Sequence, residues 1–219
     1  MTRAVRALQG CLILLAACGA PLHAQSSPDR QARLEVQVEA PVHRHVVLIL
    51  GTDLRAAEAA ANRRARVEAG VALPWKVASW LELEPRYRYL VNNEPGAEYG
   101  VEHRFSLEAE ASARPGALSV ENRARMERRI EEDERTTRFR NRLRLALPSS
   151  LRDGAEWFAW NEAFYTWPDR RWTRNVAAAG LAAPLARGLE AELYYLFQRD
   201  YFDDPRDQHG IALEIEVEL

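Results

Sequence analysis

Cysteine is nearly missing from this chain. Its 219 residues contain two, Cys11 and Cys18, both close to the N-terminus. Removal of that segment leaves no disulfide or thiolate chemistry. Lysine is scarcer still: Lys76 stands alone, so the basic population is arginine, whose planar fork shares several carboxylates at once. There is no basic excess, since 30 Lys+Arg against 32 Asp+Glu give a net charge of −2 and exclude the usual profile of a nucleic-acid binder. No phosphate-cradling glycine loop, Walker motif or dinucleotide fingerprint occurs, and no cofactor is expected. Nor does any apolar run reach the ~20 residues of a membrane helix. That last absence leaves a membrane barrel open, because only alternate residues of its strands face lipid. With 47% apolar and 28% charged residues, the chain has the composition of a folded domain.

The N-terminus reads as a targeting signal. Arg3 and Arg6 precede an apolar run from Cys11 to Ala17, and Leu22-His23-Ala24 ends in the small residue a signal peptidase needs. Residues 1–24 are therefore expected as a secretory signal peptide, 25–31 as a flexible segment and 32–219 as the folded unit. Leu15-Ala16-Ala17-Cys18 competes as a lipobox, with cleavage and acylation at Cys18. Both routes mean export.

Downstream, apolar residues recur at every second position in blocks separated by turn signals. In the last block His209, Ile211, Leu213, Ile215, Val217 and Leu219 share one face, and Gln208, Glu214, Glu216 and Glu218 share the other. Phe139, Leu143, Leu145 and Leu147 likewise oppose Arg138, Arg140, Arg142 and Arg144. A helix would spread those four arginines around most of its circumference, so the Ala-, Glu- and Arg-rich stretches from Ala56 to Ala69 and from Glu121 to Arg144 are read as strands. Aromatic residues near the block ends, among them Tyr87, Tyr89, Tyr99, Trp157, Phe158, Trp160, Phe164, Tyr165, Trp167 and Trp172, are expected to form interfacial girdles. Short connections such as Pro74-Trp75-Lys76 and Arg114-Pro115-Gly116 alternate with longer polar ones such as 92–98 and 200–207. The fold predicted is an all-β, antiparallel, up-and-down transmembrane barrel.

Eleven segments can be counted, beginning with 32–40 and 44–57. Bacterial single-chain barrels have even strand numbers. Because Pro41 separates the first two segments and proline marks strand edges, the first segment is expected to lie outside the closure, leaving ten strands, with twelve as the alternative.

Several segments, taken together, resemble a known family. They are Asn122-Arg123-Ala124-Arg125-Met126-Glu127, Arg138-Phe139-Arg140-Asn141-Arg142-Leu143-Arg144, Asn161-Glu162-Ala163-Phe164, Arg174-Asn175 with Gly180-Leu181, and the closing His209 strand. The set resembles the bacterial outer-membrane family known as domain of unknown function 2490. That resemblance implies a barrel in the outer membrane of a Gram-negative bacterium, with no established activity.

With the apolar face toward lipid, the opposite face lines the lumen. It carries Arg104, Glu108 and Glu110, then Arg123, Arg125 and Glu127, then Arg138, Arg140, Arg142 and Arg144, with Glu162 on the following strand. Opposed residues lie about 4.5–5.5 Å apart at Cβ, within reach of Arg–carboxylate contacts. Two roles follow, a structural ion-pair network or a passage for a small anionic solute. The expected partners are outer-membrane lipid and the barrel-insertion machinery. The alternative is a soluble periplasmic β-barrel around an apolar ligand, with every face reversed.

Catalytic and metal sites are not expected. His103 and Ser106 have opposite parity and point to opposite sides of the wall, so they form no dyad. His43 and His45 lack a third ligand nearby, and Asp200, Asp203, Asp204 and Asp207 read as a solvated acidic loop.

Overall fold

The computed structural model describes residues 30–57, 64–93, 99–132, 134–167, 169–201 and 206–219. The expected signal peptide, with Cys18 and the cleavage site after Ala24, lies outside the described residues. Twelve strands occur among them: β1 (Arg30–His43), β2 (Val46–Ala57), β3 (Arg64–Ala72), β4 (Trp75–Ala78), β5 (Leu81–Asn93), β6 (Gly100–Ala113), β7 (Ser119–Glu131), β8 (Glu134–Pro148), β9 (Glu156–Thr166), β10 (Arg171–Ala186), β11 (Leu189–Asp200) and β12 (Arg206–Glu218). Arg30 and Gln31, expected in the flexible segment, already belong to β1.

Eleven strands close the barrel. Each pairs antiparallel with its neighbour, β3 pairs with β5, and the ring is completed by a parallel ladder between β1 and β12 running from Arg30↔His209 to Glu39↔Glu218. The expected ten strands, and the alternative twelve, are thereby corrected. An odd number closes because one pair is parallel, and the two end strands match in that direction. Leu34, Val36 and Val38 meet Leu213, Ile215 and Val217 on the outer side, while Glu35 meets Glu214 inside. The first segment is part of the closure. Pro41 is carried in the β1–β2 ladder opposite Val47, at the point where the register shifts, where a missing N–H is tolerated. The strand outside the closure is β4, which pairs with β5 through Trp75↔Leu83 after Leu73-Pro74 interrupts β3.

The barrel has two ends. At one lie Arg30 and the starts of β10 and β12; at the other lie Leu219, the Arg44-His45 turn and the Arg187-Gly188 turn. The expected contrast between short and long connections is weak. Only residues 132–133 join β7 to β8 at the Arg30 end, while the run 149–155 between β8 and β9 lies at the Leu219 end.

Side-chain facing follows the pleat. Phe105 is 50% exposed on the outside and its neighbour Arg104 is 6% exposed inside. Leu50, Val67, Leu143, Leu193 and Ile211 also present exposed apolar surface outward. A soluble barrel around an oily centre needs the opposite arrangement.

Three of the residues expected in the aromatic girdle turn inward instead. Phe158, Trp160 and Phe164 alternate on β9 with the outward Trp157 and with Tyr165, and they join Val176, Ala178, Ala182, Tyr194, Leu196 and Ala212 in a buried cluster under one wall. Their parity, not their chemistry, decided the facing. Gly180 makes this wall possible. A Cβ there would lie 2.3 Å from the Leu193 carbonyl oxygen and 2.4 Å from the Tyr194 Cβ, so the missing side chain lets β11 sit against it.

Candidate functional site

The interior is a cavity of about 460 Å³ lined by all eleven strands that close the barrel. Fourteen arginines and eight carboxylates line it, with Trp160, Phe164, Tyr194 and Leu196 on one side.

Its ion pairs follow from strand pairing. On β8, Arg138, Arg140, Arg142 and Arg144 occupy alternate positions, and β7 and β9 bring carboxylates alongside. Glu162 accepts from Arg140 Nε and Nη2 and from Arg142 Nη2, each at 3.0 Å. Arg140 also donates to Glu127 at 3.0 Å, and Arg125 approaches the same carboxylate at 3.6 Å. Glu108 on β6 pairs with Arg125 and lies 3.7 Å from Arg123. Arg144 reaches across the interior to Glu192 on β11 at 2.6 Å. Arg104 donates to Glu102 at 2.6 Å. Glu110 stands opposite Arg123 and Glu82 without an ion pair among the described residues. Arg138 likewise has no ion pair there, and its guanidinium lies 5.9 Å from the Phe164 ring centroid.

Stacking forms a second layer of contacts. Arg144 lies 4.3 Å from the Phe158 ring centroid, Arg142 is 4.4 Å from Trp160, and Arg140 is 4.8 Å from Phe164. Each of these three arginines of β8 thus meets an inward aromatic of β9, an arrangement that fixes the guanidinium planes by cation–π attraction.

Other interior residues were not singled out by sequence. Glu102 is fully buried and holds Arg129 as well, at 2.8 Å to Nε and 2.6 Å to Nη2. Arg88 donates to Glu68 at 3.0 Å, and Asp53 is gripped by both Arg33 and Arg55. Their shared parity with Arg104 and Arg125 was the available signal, since a pleated strand sends every second residue the same way.

A further property is incomplete satisfaction. Arg88 keeps Nε and Nη2 without an acceptor, and Arg138 and Arg142 each keep Nε without one. Buried guanidinium N–H groups of this kind are costly unless something accepts from them.

The histidines take no part in the interior. His103 lies outside and contacts the Tyr87 hydroxyl through Nδ1 at 2.9 Å, while Ser106 stands in the ladder opposite Arg86 and Glu127. The His43 and His45 rings are 6.3 Å apart on the outside of a turn. Asp200 pairs with Arg174, and Asp207 pairs with Arg199 at 2.7 Å; Asp203 and Asp204 lie outside the described residues. Among the described residues no group of three or more His, Cys, Asp or Glu is arranged to hold a metal ion.

Two solved structures are similar to this barrel. LpxR from Salmonella typhimurium superposes with a TM-score of 0.54 at 10% identity, covering 84% of this chain and 87% of that one. A NanC porin superposes with a TM-score of 0.53, also at 10% identity, covering 88% of this chain and 100% of that one. Identity at that level establishes the shared barrel fold alone. No curated protein matches the sequence. A family model does match, over residues 31–209, and the chain belongs to the family described as Protein of unknown function (DUF2490).

Proposed function

We propose that this chain is an outer-membrane barrel, exported by its N-terminal signal, whose arginine-lined lumen takes up a small anionic solute. The membrane setting is supported by the outward band of Leu, Val, Ile and Phe side chains and by Trp157 on β9 and Trp167 just past its end, at the two edges of that band. Ten residues separate that pair, which at ~3.3 Å each and a tilt of ~45° gives on the order of 25 Å, the height of a lipid-facing band. Likeness in fold to a porin supports the same setting.

One observation carries the solute class: on this arginine-lined cavity, guanidinium N–H groups of Arg88, Arg138 and Arg142 have no acceptor among the described residues. An anion supplies those acceptors. Arginine suits the task because it stays protonated and offers two parallel donors to a carboxylate or phosphate group.

A second, purely structural reading is favoured by one feature. Glu127, Glu162 and Glu102 are buried and each is shared by two arginines, which braces neighbouring strands. Conductance in planar bilayers separates the two. The solute reading expects channels whose reversal potential in a KCl gradient lies toward that of chloride. A sealed barrel, or one selective for potassium, overturns it.

A further inference from the structure

Two rows of like charge stand at different levels inside the barrel. Nearer the Arg30 end, Arg88, Arg104 and Arg129 stand directly opposite one another on β5, β6 and β7. Nearer the Leu219 end, Glu190 stands opposite Glu216 and Glu192 opposite Glu214 across β11 and β12. Like charges in directly opposed positions destabilise a sheet. A network built only for bracing would alternate the signs.

Both zones open on the same cavity, which is lined by Arg88, Arg104, Arg129, Glu214 and Glu216. At the first zone Arg88 is 8% exposed, yet two of its three nitrogens have no acceptor. At the second, Glu190 and Glu216 have no ion pair among the described residues, and Glu214 accepts only the Tyr194 hydroxyl, at 3.3 Å. Arg104 and Arg129 share Glu102, so among the described residues Arg88 supplies the unused donors at the first level, and Glu214 and Glu216 supply carboxylates without an ion pair at the second.

We infer that the lumen binds an elongated zwitterion, with its anionic group on the row Arg88, Arg104 and Arg129 and its ammonium group at Glu214 and Glu216. This rests on the anion-binding reading above and narrows it to a substrate class. On β5 the step from Arg88 to Glu84, the inward residue four positions nearer the Leu219 end, covers about 13 Å along the backbone at ~3.3 Å per residue. With the arginine side chain leaning in, the ligand's charges stand roughly 10 Å apart, the span of an extended tripeptide. Electrostatic focusing in a low-dielectric wall favours a ligand aligned with the fixed field over one carrying either charge alone.

Triglycine, N-acetyl-triglycine and triglycine amide are suitable probes, sharing one tripeptide backbone and differing in terminal charge, with the acetyl cap adding a single two-carbon unit. Isothermal titration of the full barrel in detergent is expected to show triglycine binding at least about tenfold, or ~1.4 kcal/mol, tighter than either single-charge analogue. The Glu214→Gln, Glu216→Gln double variant should bring triglycine down to the level of N-acetyl-triglycine, whereas Arg88→Met should weaken both. Correct folding of each variant is read from its heat-modifiable migration on gels. Equal binding of triglycine and N-acetyl-triglycine overturns the zwitterion while leaving the anion reading intact. Binding of none of the three also overturns it, and chloride conductance then decides the anion reading separately.

Discussion

The guanidinium of Arg142 lies over the indole of Trp160, 4.4 Å from the ring centroid, and the same group donates to Glu162 at 3.0 Å. One arginine of β8 is thereby held by two consecutive inward residues of β9. The contact joins the apolar wall around Tyr194 to the charged wall around Glu127 and Glu162. Side chains so placed cannot swing freely, and the cavity keeps its shape without help from the backbone connections.

Removing the shared carboxylate should be costly. In Glu162→Gln, Arg142 loses its only carboxylate partner and Arg140 loses one of two. An uncompensated buried charge costs ~3–5 kcal/mol. Unfolding by urea in detergent should show a loss near the lower figure, because Arg140 keeps Glu127. Glu190→Gln, at a position with no ion pair among the described residues, should change stability by no more than about 0.5 kcal/mol. Equal effects of the two would mean that pairing inside the barrel contributes nothing.

Gly180 should not tolerate a side chain. The added methyl of Gly180→Ala would overlap the Leu193 carbonyl oxygen and the Tyr194 Cβ, both belonging to the paired strand. Overpacking of this kind costs about 1–3 kcal/mol. The expected signs are a lower urea midpoint and a shifted Tyr194 environment in near-ultraviolet circular dichroism. An unchanged midpoint would show that β10 and β11 can separate at no cost.

Two asparagine pairs on the outer face offer a separate test. Asn161 and Asn175 donate to one another at 2.9 and 3.0 Å, as Asn122 and Asn141 do at 3.3 and 3.2 Å. Asn161→Leu removes one partner of the Asn175 amide, which keeps the Glu162 carbonyl, and should cost about 1 kcal/mol, as should Asn175→Leu, while the two together should be nearly neutral. The resulting coupling energy, read from a double-mutant cycle, should be about 2 kcal/mol. Additive losses would mean that the pair is not an interacting unit.

Orientation in the membrane is open to cysteine labelling. Ile211→Cys and Leu143→Cys, placed on the outer apolar face, should react poorly with a water-soluble maleimide in native membranes. Leu151→Cys, in the exposed run 149–155, should label well once the reagent reaches that end. Comparable labelling at all three positions would place the outer face in water and contradict a lipid-facing band.

Much of the wall was legible in the sequence. Strict alternation on β8 separates Arg138, Arg140, Arg142 and Arg144 from Phe139, Leu143, Leu145 and Leu147, and a pleated strand can satisfy that pattern in only one way once a face is chosen. Strand boundaries also followed closely, since turn residues interrupt the alternation. Trp160 and Phe164 show where composition misled: aromatic character pointed to an interfacial girdle, whereas their parity with Glu162 put them inside. Pro41 misled in the same manner, because a proline at a register shift is compatible with a paired strand.

Closure and partnership lay beyond one-dimensional reading. Period two is preserved whether β1 meets β12 parallel or antiparallel, so alternation carries no information about the direction of the last ladder or the parity of the strand count. Whether Arg125 on β7 reaches Glu108 on β6, and whether Arg140 on β8 reaches Glu127 on β7 or Glu162 on β9, depends on stagger between strands; sequence spacing is blind to stagger. The amino-acid order by itself determined which residues share a side of the wall, because the pleat enforces it locally. Only the closed barrel decided how many strands make the ring, which charges meet across it, and that rows of like charge stand at different levels, because those depend on register between segments far apart in the chain.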